Sequence, residues 1–128
     1  YRWLEATDDG AVAAWVAAQN DFTAAELARL PGREWFRERL RALLDVPRVG
    51  LPELVPGLFA YRFNPGLAET DALWVTDDLA VPGRVLVDPL QIRADGTVSL
   101  GDFMPSPDGR VVAYSLSDGG SDWRTWRF

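Results

Sequence analysis

The side chains able to do chemistry in this chain are mainly carboxylates and hydroxyls. Asp118-Gly119-Gly120-Ser121-Asp122 sets two acids around flexible glycines, and Asp8-Asp9 and Asp77-Asp78 are adjacent acid pairs. Such groups could hold a cation or exchange a proton, but the glycine loop lacks the D-x-[DN]-x-[DN]-G-x5-E ligand spacing of an EF-hand. A hairpin turn is the stronger reading there, and solvated helix-start or strand-end acids the stronger reading of the two pairs. Ser106, Ser115 and Ser121 are hydroxyl nucleophiles without a base. The chain has no His, and its 13 basic residues are all Arg, so no Lys stands in. No G-x-S-x-G elbow is present. With no Cys there is no thiolate, disulfide or zinc–sulfur site, and without His the commonest transition-metal ligand is missing. These residues by themselves predict no catalytic site, no metal, no cofactor and no hydrolase activity.

The 128 residues have the length of one domain, and an apolar fraction of 48% suffices for a core. Six Trp suggest large anchors packed between layers. A net charge of −6 argues against nucleic acid as a partner, because phosphate binding needs a basic face. No apolar run reaches the ~20 residues that cross a bilayer, so no membrane span is expected.

The elements that would position these side chains change character along the chain. Residues 8–44 predict two amphipathic helices. Thr7, Asp8 or Asp9 can cap the first, and Val12, Trp15-Val16, Phe22, Leu27 and Leu30 recur at helical spacing. Pro31-Gly32 breaks it. Trp35-Phe36, Leu40 and Leu43-Leu44 carry the second, with Arg33, Arg37, Arg39 and Arg41 interleaved. Those arginines read as a solvated face pairing with Glu34 and Glu38 rather than as a site for an anion. Residues 45–57 hold Pro47, Gly50, Pro52, Pro56 and Gly57, leaving room for one short edge strand at most. Strands are then predicted over Leu58–Phe63, Ala72–Thr76, Arg84–Val87 and Thr97–Leu100. Ser106-Pro107-Asp108-Gly109 launches a terminal hairpin through Tyr114 and Trp126. Helices first and strands after, without alternation, predict an α+β segment whose strands belong to a sandwich, barrel or propeller, not to a parallel α/β sheet.

In this order the residues resemble the start of the prolyl oligopeptidase family of serine peptidases. The similarity runs through Tyr1-x-Trp3-Leu4-Glu5, Trp15-Val16-x-x-Gln19-Asn20, Pro31-x-Arg33 and Asp45-x-Pro47-Arg48. It continues through Tyr61-x-Phe63-Asn64-x-Gly66-Leu67, Val87-Asp88-Pro89 and Asp95-Gly96-Thr97-Val98-x-Leu100. Ser106-Pro107-Asp108-Gly109 and Gly120-Ser121-Asp122-Trp123 close it. The resemblance implies a two-domain peptidase that cleaves short peptides after proline. Its α/β-hydrolase domain carries the catalytic triad, and a β-propeller limits substrate size. Residues 1–50 would then be a helical extension packing on a peptidase domain supplied by the remainder of the parent chain. Residues 51–128 would begin the propeller, with one blade and the start of the next.

The resemblance also implies a cytoplasmic enzyme. A periplasmic or secreted parent stays open, because the chain shows no initiator Met. Asp122 is the one substrate-cavity candidate: in the family its turn looks toward the cavity between the domains, where an acid could pair with a peptide-binding arginine. The competing reading has Asp122 capping the turn while Trp123 anchors a blade. Two other classes fit less well: an oligopeptidase B-like enzyme cutting after basic residues, and a non-catalytic propeller that binds a partner. Alone, the helix pair would expose an apolar stripe and the strands would leave unpaired edges, which predicts poor solubility.

Overall fold

The computed structural model describes residues 1–128. It divides into two compact units, Tyr1–Ala42 and Leu43–Phe128. The first unit is helical. After a 3-10 turn at Arg2–Glu5, helix α1 spans Gly10–Ala28 and helix α2 begins at Arg33, running to Leu44. Asp9 is the residue that caps α1: its Oδ1 accepts from the Ala11 N–H at 2.8 Å. Trp3 packs edge-on against Trp15, with ring centroids 5.8 Å apart.

The expectation of two amphipathic helices holds for α2 and fails for α1. On α2, Phe36, Leu40, Leu43 and Leu44 share one stripe, while Arg37 and Glu34 pair at 3.2 Å away from it. On α1, the face opposite Val12, Trp15, Val16 and Phe22 is mostly alanine with Asp21 among them, and Gln19 and Glu26 sit within the apolar stripe. Apolar and polar side chains are therefore spread around α1 instead of being segregated to opposite faces. Only Val12 of α1 is buried, and Phe22, Phe36 and Leu40 all stand more than half exposed. No helix is long and apolar enough to cross a membrane.

The second unit is two antiparallel sheets. In the first, β1 (Arg48–Val49) and β2 (Glu53–Val55) lie end to end along one edge of β3 (Leu58–Asn64), with Gly50-Leu51-Pro52 between them. β3 pairs with β4 (Ala72–Thr76), and β4 with β5 (Arg84–Val87). Counting the interrupted edge as one strand, this is a four-stranded meander. The second sheet follows as β6 (Val98–Pro105), β7 (Val112–Asp118) and β8 (Arg124–Arg127), again in sequence order. Between the sheets runs a four-residue helix, α3 (Pro89–Ile92), capped by Asp88 with Pro at its first position.

The core lies where the two sheets face each other. Val55, Ala60, Leu73 and Val75 of the first meet Val98, Leu100 and Leu116 of the second, and Leu73 is fully buried. Every strand predicted from Leu58 onward is present. The connector holds two short strands rather than one, and β6 runs on to Pro105 through a bulge between Leu100 and Phe103. Gly101 and Asp102 form that bulge, and their interruption of the apolar alternation hid the second half of the strand.

Candidate functional site

The Gly-rich loop forms the turn between β7 and β8. Gly119 and Gly120 take φ of +59° and +74°, a left-handed pair that only glycine adopts cheaply. Ser117 donates to the Ser121 carbonyl at 2.6 Å, and the Ser121 N–H returns to Asp118 O at 3.0 Å. The Gly119 N–H reaches Thr97 O at 2.9 Å, tying the turn to the start of β6. The Ser121 Oγ accepts from the Trp123 N–H at 3.1 Å.

The two acids of this loop have different fates. The Asp118 carboxylate is forked by Arg93, with Nη2 donating to Oδ2 at 2.8 Å and Nη1 to the other oxygen, and Nη1 also donates to Thr97 Oγ1 at 3.1 Å. The hydrogen bond and charge of Asp118 hold the Arg93 pKa above its ordinary value. Asp118 is thus neutralised by a cation from its own chain. Asp122 is exposed, and the turn is closed by Ser117, Ser121 and Asp118 rather than by it. Trp123 beside it stands 88% exposed.

The remaining candidates shape the backbone. Asp9 caps α1, as above. Asp78 Oδ1 accepts from the Ala80 N–H at 2.8 Å, and Thr76 Oγ1 donates to Asp78 O at 2.7 Å, which turns the chain after β4. Ser106 Oγ donates to Asp108 Oδ1 at 2.6 Å and accepts from the Val111 N–H at 3.1 Å. Ser115 is fully buried, its Oγ accepting from the Asp102 N–H at 2.9 Å. None of the three serines has a His or Lys beside it, and the carboxylate on Ser106 is bound into its own turn.

Two carboxylates carry shifted protonation. The Ser106 hydroxyl and then the Arg110 N–H hold Asp108 below its ordinary 3.8; the Thr97 hydroxyl and then its N–H do the same for Asp95. A folded pKa below the unfolded one stabilises the fold fully above the ordinary value, and that contribution is lost as pH falls from 3.8 through the lower folded value. Ser106→Ala is expected to bring the Asp108 midpoint up toward its ordinary value while leaving Asp95 unmoved. Carboxyl-carbon NMR titration reads both groups at once.

One cluster was not anticipated. Arg62 of β3 donates through Nη2 to the Gly101 carbonyl at 2.6 Å and lies 3.7 Å from Asp102 Oδ1. Arg124 of β8 lies 3.9 Å from the other oxygen of Asp102. The available signal was Gly101-Asp102 breaking an apolar run, the mark of a bulge.

Comparison with known proteins adds the following. Residues 1–128 match the family described as prolyl oligopeptidase, N-terminal beta-propeller domain. A prolyl endopeptidase of Elizabethkingia meningoseptica is 36% identical over 126 residues, covering 96% of this chain and 17% of the relative. A dual function macrocyclase-peptidase of Amanita bisporigera is 30% identical, covering 98% and 18%. Among solved structures, one from a study of two prolyl endopeptidases superposes with a TM-score of 0.84 at 33% identity, covering 98% of this chain and 19% of that one. Prolyl oligopeptidase B from Galerina marginata, bound to a 25mer macrocyclization substrate, gives 0.77 at 29%, with the same two coverages. This chain therefore spans less than a fifth of the length of the proteins it matches.

Proposed function

We propose that this chain, which belongs to the prolyl oligopeptidase N-terminal β-propeller family, serves a serine endopeptidase that hydrolyses short peptides on the C-terminal side of proline. The carrying observation is the likeness to a solved prolyl endopeptidase, 33% identical with a TM-score of 0.84 over 98% of the chain. Its role is scaffold and gate. Residues 1–50 form a helical extension that packs on the peptidase domain, and residues 51–128 open a propeller that restricts access to peptides. The alanine-rich face of α1 and the exposed stripe of α2 supply the apolar surface for such packing. The four-stranded first sheet has the make-up of one blade, and β6–β8 supply three strands of the next.

With no His in the chain, a Ser-His-Asp triad comes from the rest of the parent. The remaining blades complete the gate, and we assign the parent to the cytoplasm. The deciding experiment is a peptidase assay on the full-length parent with two short fluorogenic peptides, one with Pro and one with Arg before the scissile bond. Cleavage after Pro, abolished by a serine-reactive phosphonate, is the expected result. Cleavage after Arg alone would move the parent to the basic-specific relatives, and cleavage of neither by a folded parent would leave a binding propeller.

Asp122 is the residue of this chain that we assign to the substrate cavity. Its exposure, and its freedom from the bonding that closes the turn, leave its charge available to an arginine of the peptide site. Asp122→Asn in the parent is expected to lower kcat/KM severalfold and displace its pH profile, since a neighbouring charge within ~4–6 Å shifts a titrating group. An unchanged profile removes the assignment.

A further inference from the structure

Aliphatic contact is non-directional, so the seam between the two sheets, built on Ala60, Leu73, Val98 and Leu100, does not by itself fix how one sheet is staggered along the other. A directional link crosses the same seam. The bulge after Leu100 lifts Gly101 and Asp102 out of the ladder with β7. That frees the Gly101 carbonyl, and Arg62 from the first sheet takes it at 2.6 Å. The Asp102 N–H, also displaced from the ladder, is satisfied by the buried Ser115 hydroxyl at 2.9 Å. Arg124 closes the row from the far side, near the second oxygen of Asp102. A Cβ on Gly101 would collide with the Arg124 guanidinium and the Ser115 Oγ, so this position has room for glycine alone.

We propose that the bulge and its two arginines are a clasp that sets the stagger of the first sheet on the second, with the Arg62–Gly101 bond as its working part. The ion pairs around Asp102 are long and exposed and add little. The bond to the carbonyl is short, charge-assisted and half-shielded. Arg62 makes both contacts through Nη2, so lysine at 62 would keep the charge but lose the planar guanidinium that carries this nitrogen to the Gly101 carbonyl.

Hydrogen exchange on the full-length parent tests this without reference to peptidase activity. In Arg62→Met, the amides of Asp102 and Phe103 are expected to exchange more than tenfold faster, while those of β4 keep their native rates. Arg62→Lys should fall between, and it is the variant to read if Arg62→Met does not fold. Rates at Asp102 and Phe103 within twofold of native in Arg62→Met would overturn the clasp. A uniform rise across both sheets would overturn it too, since that is loss of stability without a local role.

Discussion

Replacing Asn64 by leucine is expected to destabilise the fold by about 3 kcal/mol, read as a fall in the urea midpoint of the parent's propeller. Asn64 is only 2% exposed and ends β3. Its Nδ2 donates to Ala68 O at 3.1 Å and to Asp71 Oδ1 at 3.0 Å, and its Oδ1 accepts from the Gly66 N–H at 2.9 Å. One side chain thus organises the whole β3–β4 loop. Leucine fits the volume but strands a buried amide and a half-buried carboxylate, each costing roughly 1–3 kcal/mol when left unpaired. Asn64→Asp separates bonding from size. It keeps the acceptor for Gly66 but sets a second carboxylate oxygen where the amide nitrogen stood, 3.0 Å from Asp71. That variant should be unstable at neutral pH and recover as pH falls toward 4, because one of two facing carboxylates then takes a proton. Equal midpoints for Asn64→Asp and Asn64→Leu at every pH would refute this account.

Gly83→Ala is expected to cost about 2–3 kcal/mol, within the range for overpacking a site that cannot relax. A Cβ at Gly83 would lie 2.7 Å from the Tyr61 hydroxyl and press on the Val75 carbonyl. Val75 belongs to β4 and pairs with Arg84, so backbone, not a mobile side-chain end, blocks the methyl group. Relief requires β5 to move off β4. Tyr61→Phe is the control: it removes only the 3.3 Å bond from the Gly83 N–H to the Tyr61 hydroxyl and should cost about 1 kcal/mol. If both substitutions give the same loss, the hydrogen bond and not the close approach governs this corner.

Much of the architecture was legible because its punctuation is local. Pro31-Gly32, Asn64-Pro65-Gly66, Asp77-Asp78 and Ser106-Pro107-Asp108-Gly109 each end or launch an element where the structure does. What could not be read depends on partners distant in sequence. Arg48–Val49 is a strand because Phe63 and Asn64 present an open edge to it, not because its own residues prefer extension. The continuation of β6 past Gly101 rests on Ser115 and Arg62, far along the chain in either direction. Asp88-Pro89 held a readable signal, an N-cap followed by Pro at the first helical position, behind its simpler meaning as a strand stop. Among the acids, the sequence could not say which one of the Gly-rich turn is bonded. Arg93 decides that, and it binds Asp118 rather than Asp122.

The strand order has a consequence for how the molecule comes to be made. With β1 and β2 taken as one interrupted edge strand, every strand pair in both sheets joins neighbours in the chain, and the longest closure in the first sheet brings Phe59 to Thr76. Short closures cost little chain entropy and form quickly. A ribosome adds about 5–20 residues per second, whereas a hairpin closes in microseconds. The first sheet can therefore complete its ladder once Val87 has emerged, before Val98 follows it out, and offer its apolar face as the template on which the second condenses.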